Sequence, residues 1–108
     1  MKFDNGKPQI NLVPPEVIIA ASRVFEFGAQ KYGINNWRED INKFPYSRHY
    51  GSVMRHLLAH HAGEDLDPES GLPHLHHALT QLMIYCMCEM EGTDVDDRFV
   101  KGDKDANS

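Results

Sequence analysis

The chain is poor in positive charge, poor in cysteine, and without a long apolar run. Eleven Lys and Arg stand against sixteen Asp and Glu over 108 residues, a formal net charge of −5. Counterion release therefore cannot drive polyanion binding, which excludes a long nucleic acid as the expected partner. A small phosphorylated ligand asks for less, since a local cluster of cations on an acidic protein is enough. No apolar run is long enough to cross a bilayer and no charged-then-apolar leader opens the chain, so a cytoplasmic location without a membrane partner is expected. The two cysteines, Cys86 and Cys88, lie two apart in an apolar segment and point to different faces of a helix, so no disulfide is expected between them. Internal repeats are absent as well. A chain of this length buries roughly two-thirds of its unfolded surface, which suits one core and one domain.

What is present is mostly helical periodicity. Met1 to Val13 carries Gly6 and Pro8 and reads as an extended arm, covering residues 1–14 with Pro14 and holding a short strand at Ile10 to Val13. Pro15 suits a first helical position and Glu16 the positive end of the helix dipole. Apolar residues then recur at Val17, Ile18, Ala21, Val24 and Phe25, predicting a helix to about Tyr32 that Gly33 stops. Ile34 to Pro45 reads as an ordered loop with one helical turn at Glu39 to Asn42. Tyr46, Tyr50, Val53, Met54, Leu57, Leu58 and His61 keep the 3.6-residue period, predicting a second helix from Tyr46 to Ala62. Glu64 to Pro73 is a tight acidic loop, held by Pro68 and Pro73. A third helix, His74 to about Glu91, is apolar around most of its circumference. Three helices cannot cover such a surface, which predicts a homo-oligomer, a dimer or tetramer. The fold class expected is all-α: a small bundle of three main helices spanning residues 1–92 and completed by oligomerisation. Residues 93–108 form an acidic tail in which only Val95, Phe99 and Val100 can dock.

Residues able to carry chemistry gather on the second and third helices and their loop. His49, His56 and His60 form one stripe of a helix, and His74, His77 and Gln81 a second. Antiparallel packing across the acidic loop would turn both stripes toward one site. Asp65, Asp67, Glu69, His74 and His77 are candidate ligands for a divalent metal, Mg or Mn with Zn possible, and Glu64 with Asp67 the candidate water-activating pair. Imidazoles suit Zn or Mn, whereas Mg prefers oxygen and retained waters. The same residues can equally be helix-surface groups and loop caps. Arg48 and Arg55, one heptad apart, present planar forks that can hold a di- or triphosphate, and Lys31, Arg38 and His56 can add to them. Ordinary surface ion pairs are the competing reading. Trp37, beside Asn36 and near Tyr32, can stack on a base while an Asn amide pairs with its edge, or it can pin the loop to the core.

Phe3-Asp4-Asn5-Gly6-Lys7-Pro8, Leu12-Val13-Pro14-Pro15, Phe27-Gly28-Ala29-Gln30-Lys31-Tyr32-Gly33 with Asn36-Trp37-Arg38, Arg55-His56-Leu57-Leu58-Ala59, and above all Gly63-Glu64-Asp65-Leu66-Asp67-Pro68-Glu69-Ser70-Gly71-Leu72-Pro73-His74-Leu75 together resemble the phage dATP/dGTP diphosphohydrolase N-terminal family. The resemblance implies a MazG-like all-α fold, a phage source acting in host cytoplasm, and cleavage of a purine deoxynucleoside triphosphate between its α and β phosphates with a divalent metal. MazG-like enzymes hold Mg on a helical Glu-Glu-x-x-Glu motif and a helical Glu-x-x-Asp. On the predicted helices neither is found: past the Glu16 of its first turn the first offers Glu26 alone, and His74-Leu75-His76-His77 stands where Glu-x-x-Asp is expected. HD-type hydrolases fit less well, because their His-Asp dipeptide is absent. Hydrolysis to monophosphate and pyrophosphate is the reading taken forward. Its alternatives are a non-catalytic phage protein that sequesters a host nucleotide signal, and a structural helical oligomer.

Overall fold

The computed structural model describes residues 6–41, 43–91 and 95–100. Among them the order is a 3-10 turn at Ile10–Leu12 followed by helices α1 (Pro15–Tyr32), α2 (Asn36–Asp40), α3 (Tyr46–His61) and α4 (His74–Met90). The expected all-α bundle is what forms. No strand occurs among the described residues, and one isolated bridge, Leu66 to Pro73, pinches the loop before α4.

Local chemistry sets the helix ends. Pro15 occupies the first position of α1, and Gly33 closes it at φ 103° and ψ 153°, its N–H donating to the carbonyl of Ala29. An L side chain rarely adopts that backbone, so glycine is required there. Two expectations need correction. The Ile10 to Val13 segment is a 3-10 turn, its N–H groups at Leu12 and Val13 bonding back to Gln9 and Ile10. A short apolar segment forms no strand where no partner strand, among the described residues, takes its hydrogen bonds. The short helix lies at Asn36–Asp40, ahead of the Glu39 to Asn42 turn expected, of which Asn42 is outside the described residues. Trp37 therefore sits on a helix, and Asn35 turns the chain into it with a left-handed φ of 62°.

Helix α4 is the axis of the molecule, with α3 and α1 packed against it. Both run antiparallel to it, since His49 meets Gln81 and His56 meets His74, while Ala21 meets Thr80 and Phe27 meets His77. Small side chains make the α1 crossing close. Ala21 and Ala78 are both buried, and the Thr80 hydroxyl donates to the carbonyls of His76 at 2.9 Å and Ala21 at 3.4 Å. A second buried cluster of Ile41, Tyr46 and Cys88 takes Trp37, Tyr85, Met87 and Val95 around it. Cys88 donates to the carbonyl of Ile41, Cys86 is exposed, and neither forms a disulfide.

Residues 95–98 run over the start of α3. The Tyr46 N–H donates to the Val95 carbonyl, and the Ser47 N–H and hydroxyl donate to Asp97 at 2.9 and 2.5 Å. Pro45, at the cap position, makes no side-chain bond, so the first amides of α3 are satisfied by the tail instead. Phe99 and Val100 are exposed, and Met1 to Asn5, Gly92 to Asp94 and residues 101–108 lie outside the described residues. Val17, Ile18 and Ile19 on α1 and Leu75, Leu82, Met83 and Met90 on α4 are exposed, so the apolar girth of α4 is only partly covered within one chain. No helix is long and apolar enough to cross a membrane among the described residues.

Candidate functional site

An open groove of about 1350 Å³ is lined by residues of α1, α2, α3 and α4. Lys31, Tyr32, Asn36, Trp37, Arg38, Arg48, Arg55, His56, Asp67, Glu69 and His77 all line it. Of the residues singled out in the sequence for chemistry, Glu64, Asp65, His60 and His74 do not line it. The groove thus gathers residues drawn from one helix end, one short helix, a loop and two helix faces.

Its cations come from three elements. Lys31, in the last turn of α1, pairs with Glu69 from the acidic loop. Arg38 lies 4.6 Å over the Trp37 ring, and Arg48 4.0 Å over the Phe44 ring. Arg55 folds back over Gly51, where a methyl group would sit 3.1 Å from its Nη1, so the glycine makes room for the guanidinium. Arg38 and Arg48 are thus oriented by aromatic faces, which leaves their N–H edges able to bind an anion.

Trp37 is half-buried, 5.9 Å from Phe25 and packed on the Ile41 cluster, so it pins α2 to the core. Tyr32 is the exposed aromatic of the groove, with the Lys31 ammonium 5.1 Å from its ring.

At the far end lies a histidine layer. His56 and His77 stack at 4.8 Å and 11°, and Phe27 meets His77 edge-on at 6.2 Å. His56 Nδ1 is 2.9 Å from His74 Nδ1 and 4.0 Å from Asp67 Oδ2. His74, buried, is bonded through Nε2 to Glu64 Oε1 at 2.6 Å. His77 Nε2 is 2.6 Å from the Ser70 hydroxyl, whose oxygen also accepts the Leu72 N–H. His49, buried and stacked on Tyr85, accepts at Nδ1 from the Gln81 amide, and its Nε2 finds no hydrogen-bond partner among the described residues. His60 is exposed and outside this layer.

The acidic loop is built around Asp67. Its Oδ1 accepts from the Glu69 and Ser70 N–H groups, its backbone N–H donates to Leu72, and its carbonyl accepts from Gly71. The Asp65 carbonyl accepts the His74 N–H, which joins the loop to the first turn of α4. The five candidate metal ligands do not converge: Glu69 is turned to Lys31, and Asp65 contributes a backbone bond. The donors that do come together are His56, Asp67 and His74, within 4.8 Å of one another. The stripe of His56 meets that of His74 as antiparallel packing predicts, but the sequence reading places His56 with the phosphate cations and not with the metal ligands.

Burial sets the protonation of the layer. It pushes His56 below the usual imidazole range, His77 and His74 adding to the effect and Asp67 opposing it. His77 is lowered by burial against the pull of Asp67, and His49 by burial with Arg48 beside it. Burial acts to raise Asp67, but the Ser70 and Glu69 N–H donors and the neighbouring His77 and His56 outweigh it and hold the carboxyl below its usual value. Near neutral pH His56 and His77 are neutral imidazoles beside the Asp67 carboxylate.

The family model described as dATP/dGTP diphosphohydrolase, N-terminal, matches residues 1–98. The chain is also 37% identical over 83 residues to a protein of Salmonella phage PMBT28 named dATP/dGTP diphosphohydrolase. The aligned part is 77% of this chain and 27% of that relative, so the chain spans about a quarter of the relative's length. No solved structure matches.

Proposed function

Since the chain belongs to the dATP/dGTP diphosphohydrolase N-terminal family, we propose that its groove binds a purine deoxynucleoside triphosphate and supports hydrolysis to the monophosphate and pyrophosphate. One observation carries this reading: Lys31, Arg38, Arg48 and Arg55, from three separate helices, line the same groove as the neutral imidazoles of His56 and His77 and the Asp67 carboxylate.

The divalent ion that the resemblance implies would rest, in MazG-like enzymes, on clustered helical carboxylates holding Mg. The residues present do not fit that cluster. Glu26 on α1 is paired with Arg23, Glu64 with His74, and Glu69 with Lys31, which leaves Asp67 as the carboxylate facing the histidines.

The chain's own groups divide the remaining work. Attack by water on the α phosphorus breaks the bond to the bridging oxygen and releases pyrophosphate, so charge accumulates on the leaving phosphates. Arg48 and Arg55, with Lys31 released from Glu69, would neutralise it, and such fixed cations act without reorganising during the reaction. The proton of the attacking water needs an acceptor at the other end, where Asp67 Oδ2 and the neutral His77 stand. The exposed ring of Tyr32 offers a stacking face for the base, and Asn36 an amide for its edge.

Binding tests the reading directly. A dATP analogue blocked between the α and β phosphates is expected to bind the wild type and to lose at least tenfold in affinity with Arg48→Ala and Arg55→Ala combined, with a melting temperature close to wild type. Equal affinity in the two proteins would remove the phosphate role of the groove.

A further inference from the structure

We propose that His56, Asp67 and His74 form a binding site for one transition-metal dication of the zinc class, resident on the protein before any nucleotide arrives. The first support is the pair of nitrogens. The two Nδ1 atoms face each other at 2.9 Å. Two imidazole nitrogens bound at about 2.0–2.1 Å to one tetrahedral ion lie about 3.3 Å apart, so an opening of a few tenths of an ångström turns this pair into a chelate.

The tautomer of His74 points the same way. Its Nε2 faces the Glu64 carboxylate, which can only accept, so the proton stands on Nε2 and the Nδ1 lone pair is turned toward His56. A carboxylate behind a ligating imidazole is the arrangement that orients metal-bound histidines and raises their basicity. Glu64 is thereby a positioning residue, which accounts for its place outside the groove.

Asp67 completes the set. Two backbone N–H groups occupy Oδ1 and leave Oδ2 toward His56. The loop that carries it is closed by the Leu66 to Pro73 bridge and by the bond from the His74 N–H to the Asp65 carbonyl. Ligands preset in this way cost little ordering on binding.

Two imidazoles and one carboxylate suit zinc, manganese or iron, whereas Mg demands oxygen and keeps its waters. His56 and Asp67 line the groove and His74 lies behind them. The coordination positions left open thus face the groove. The inference concerns the ion alone and stands whether or not the groove takes a nucleotide.

The experiment uses chelator-treated protein without nucleotide. Calorimetric titration with Zn²⁺ is expected to show one ion per chain, and Co²⁺ to give visible absorption from a nitrogen-containing site. Asp67→Asn preserves an Oδ1 acceptor for the turn while removing the anionic ligand, and His56→Ala removes one imidazole. Each is expected to weaken Zn²⁺ binding at least tenfold, while His60→Ala, at an exposed position outside the cluster, leaves it unchanged. Circular dichroism reports folding, and if His56→Ala unfolds, Asp67→Asn decides alone. Absence of stoichiometric Zn²⁺ binding, equal affinity in Asp67→Asn, or displacement by equimolar Mg²⁺ would overturn the site.

Discussion

Lowering the pH from 7 to 5.5 should unfold this protein far more readily than a chain whose histidines are exposed. His49, His56 and His77 are all held below the usual imidazole range by burial. In the unfolded chain each returns to about 6.5, so as pH falls through that value the unfolded state takes up protons that the folded state refuses. Stability is therefore complete above about pH 6.5 and drains away below it. The linkage slope cannot exceed about 1.4 kcal/mol per pH unit for one histidine, or about 4 kcal/mol for three. Against the roughly 5–15 kcal/mol of a small domain, even half of that ceiling is decisive. Urea unfolding followed by circular dichroism at pH 7, 6.5, 6 and 5.5 reads the effect. With a slope of about 1–2 kcal/mol per molar urea, the midpoint should fall by about 1 M or more across the range. Asp67 acts in a separate window: its carboxyl is depressed, so its contribution persists through this range and is lost only as pH drops below the ordinary carboxylate value. A midpoint constant between pH 7 and 5.5, or one that rises, would refute the reading of His49, His56 and His77 as held neutral by burial.

Two further substitutions probe how the frame is held. Asp97→Ala should cost about 1 kcal/mol by thermal melting, because Asp97 serves the start of α3 as a capping side chain normally would; an unchanged melting temperature would show that the tail does not cap α3. Gly33→Ala should cost about 1–3 kcal/mol, since nothing lies within 4 Å of the added methyl and the penalty is purely that of a backbone that L residues avoid. Nucleotide affinity per folded molecule should survive the Asp97 change.

Much of the frame was legible because local signals decide it. Pro15 and Gly33 bracket α1, and the periodic apolar residues of α3 and α4 announce both helices. The two polar stripes were legible for the same reason, and packing brings His49 to Gln81 and His56 to His74. What stayed hidden depends on partners far away in the chain. Helix α2 is too short to show a period and is placed by Trp37 against Phe25 and by buried Ile41. The Ser47 to Asp97 cap joins residues fifty positions apart, and no pattern announces it. Within the site, the pairing of Glu64 with His74 and of Glu69 with Lys31 could not be told from metal ligation by spacing, because both uses ask for the same acidic loop.

The central claim, that this groove turns over a purine deoxynucleoside triphosphate, is tested most directly by separating the products after incubation with dATP and dGTP, with Zn²⁺, Mn²⁺ or Mg²⁺ supplied in parallel. The account predicts deoxynucleoside monophosphate and pyrophosphate in equal amounts, lost when Arg48 and Arg55 are both replaced by Ala. Intact nucleotide under every condition, or release of inorganic phosphate and diphosphate in place of pyrophosphate, would contradict it.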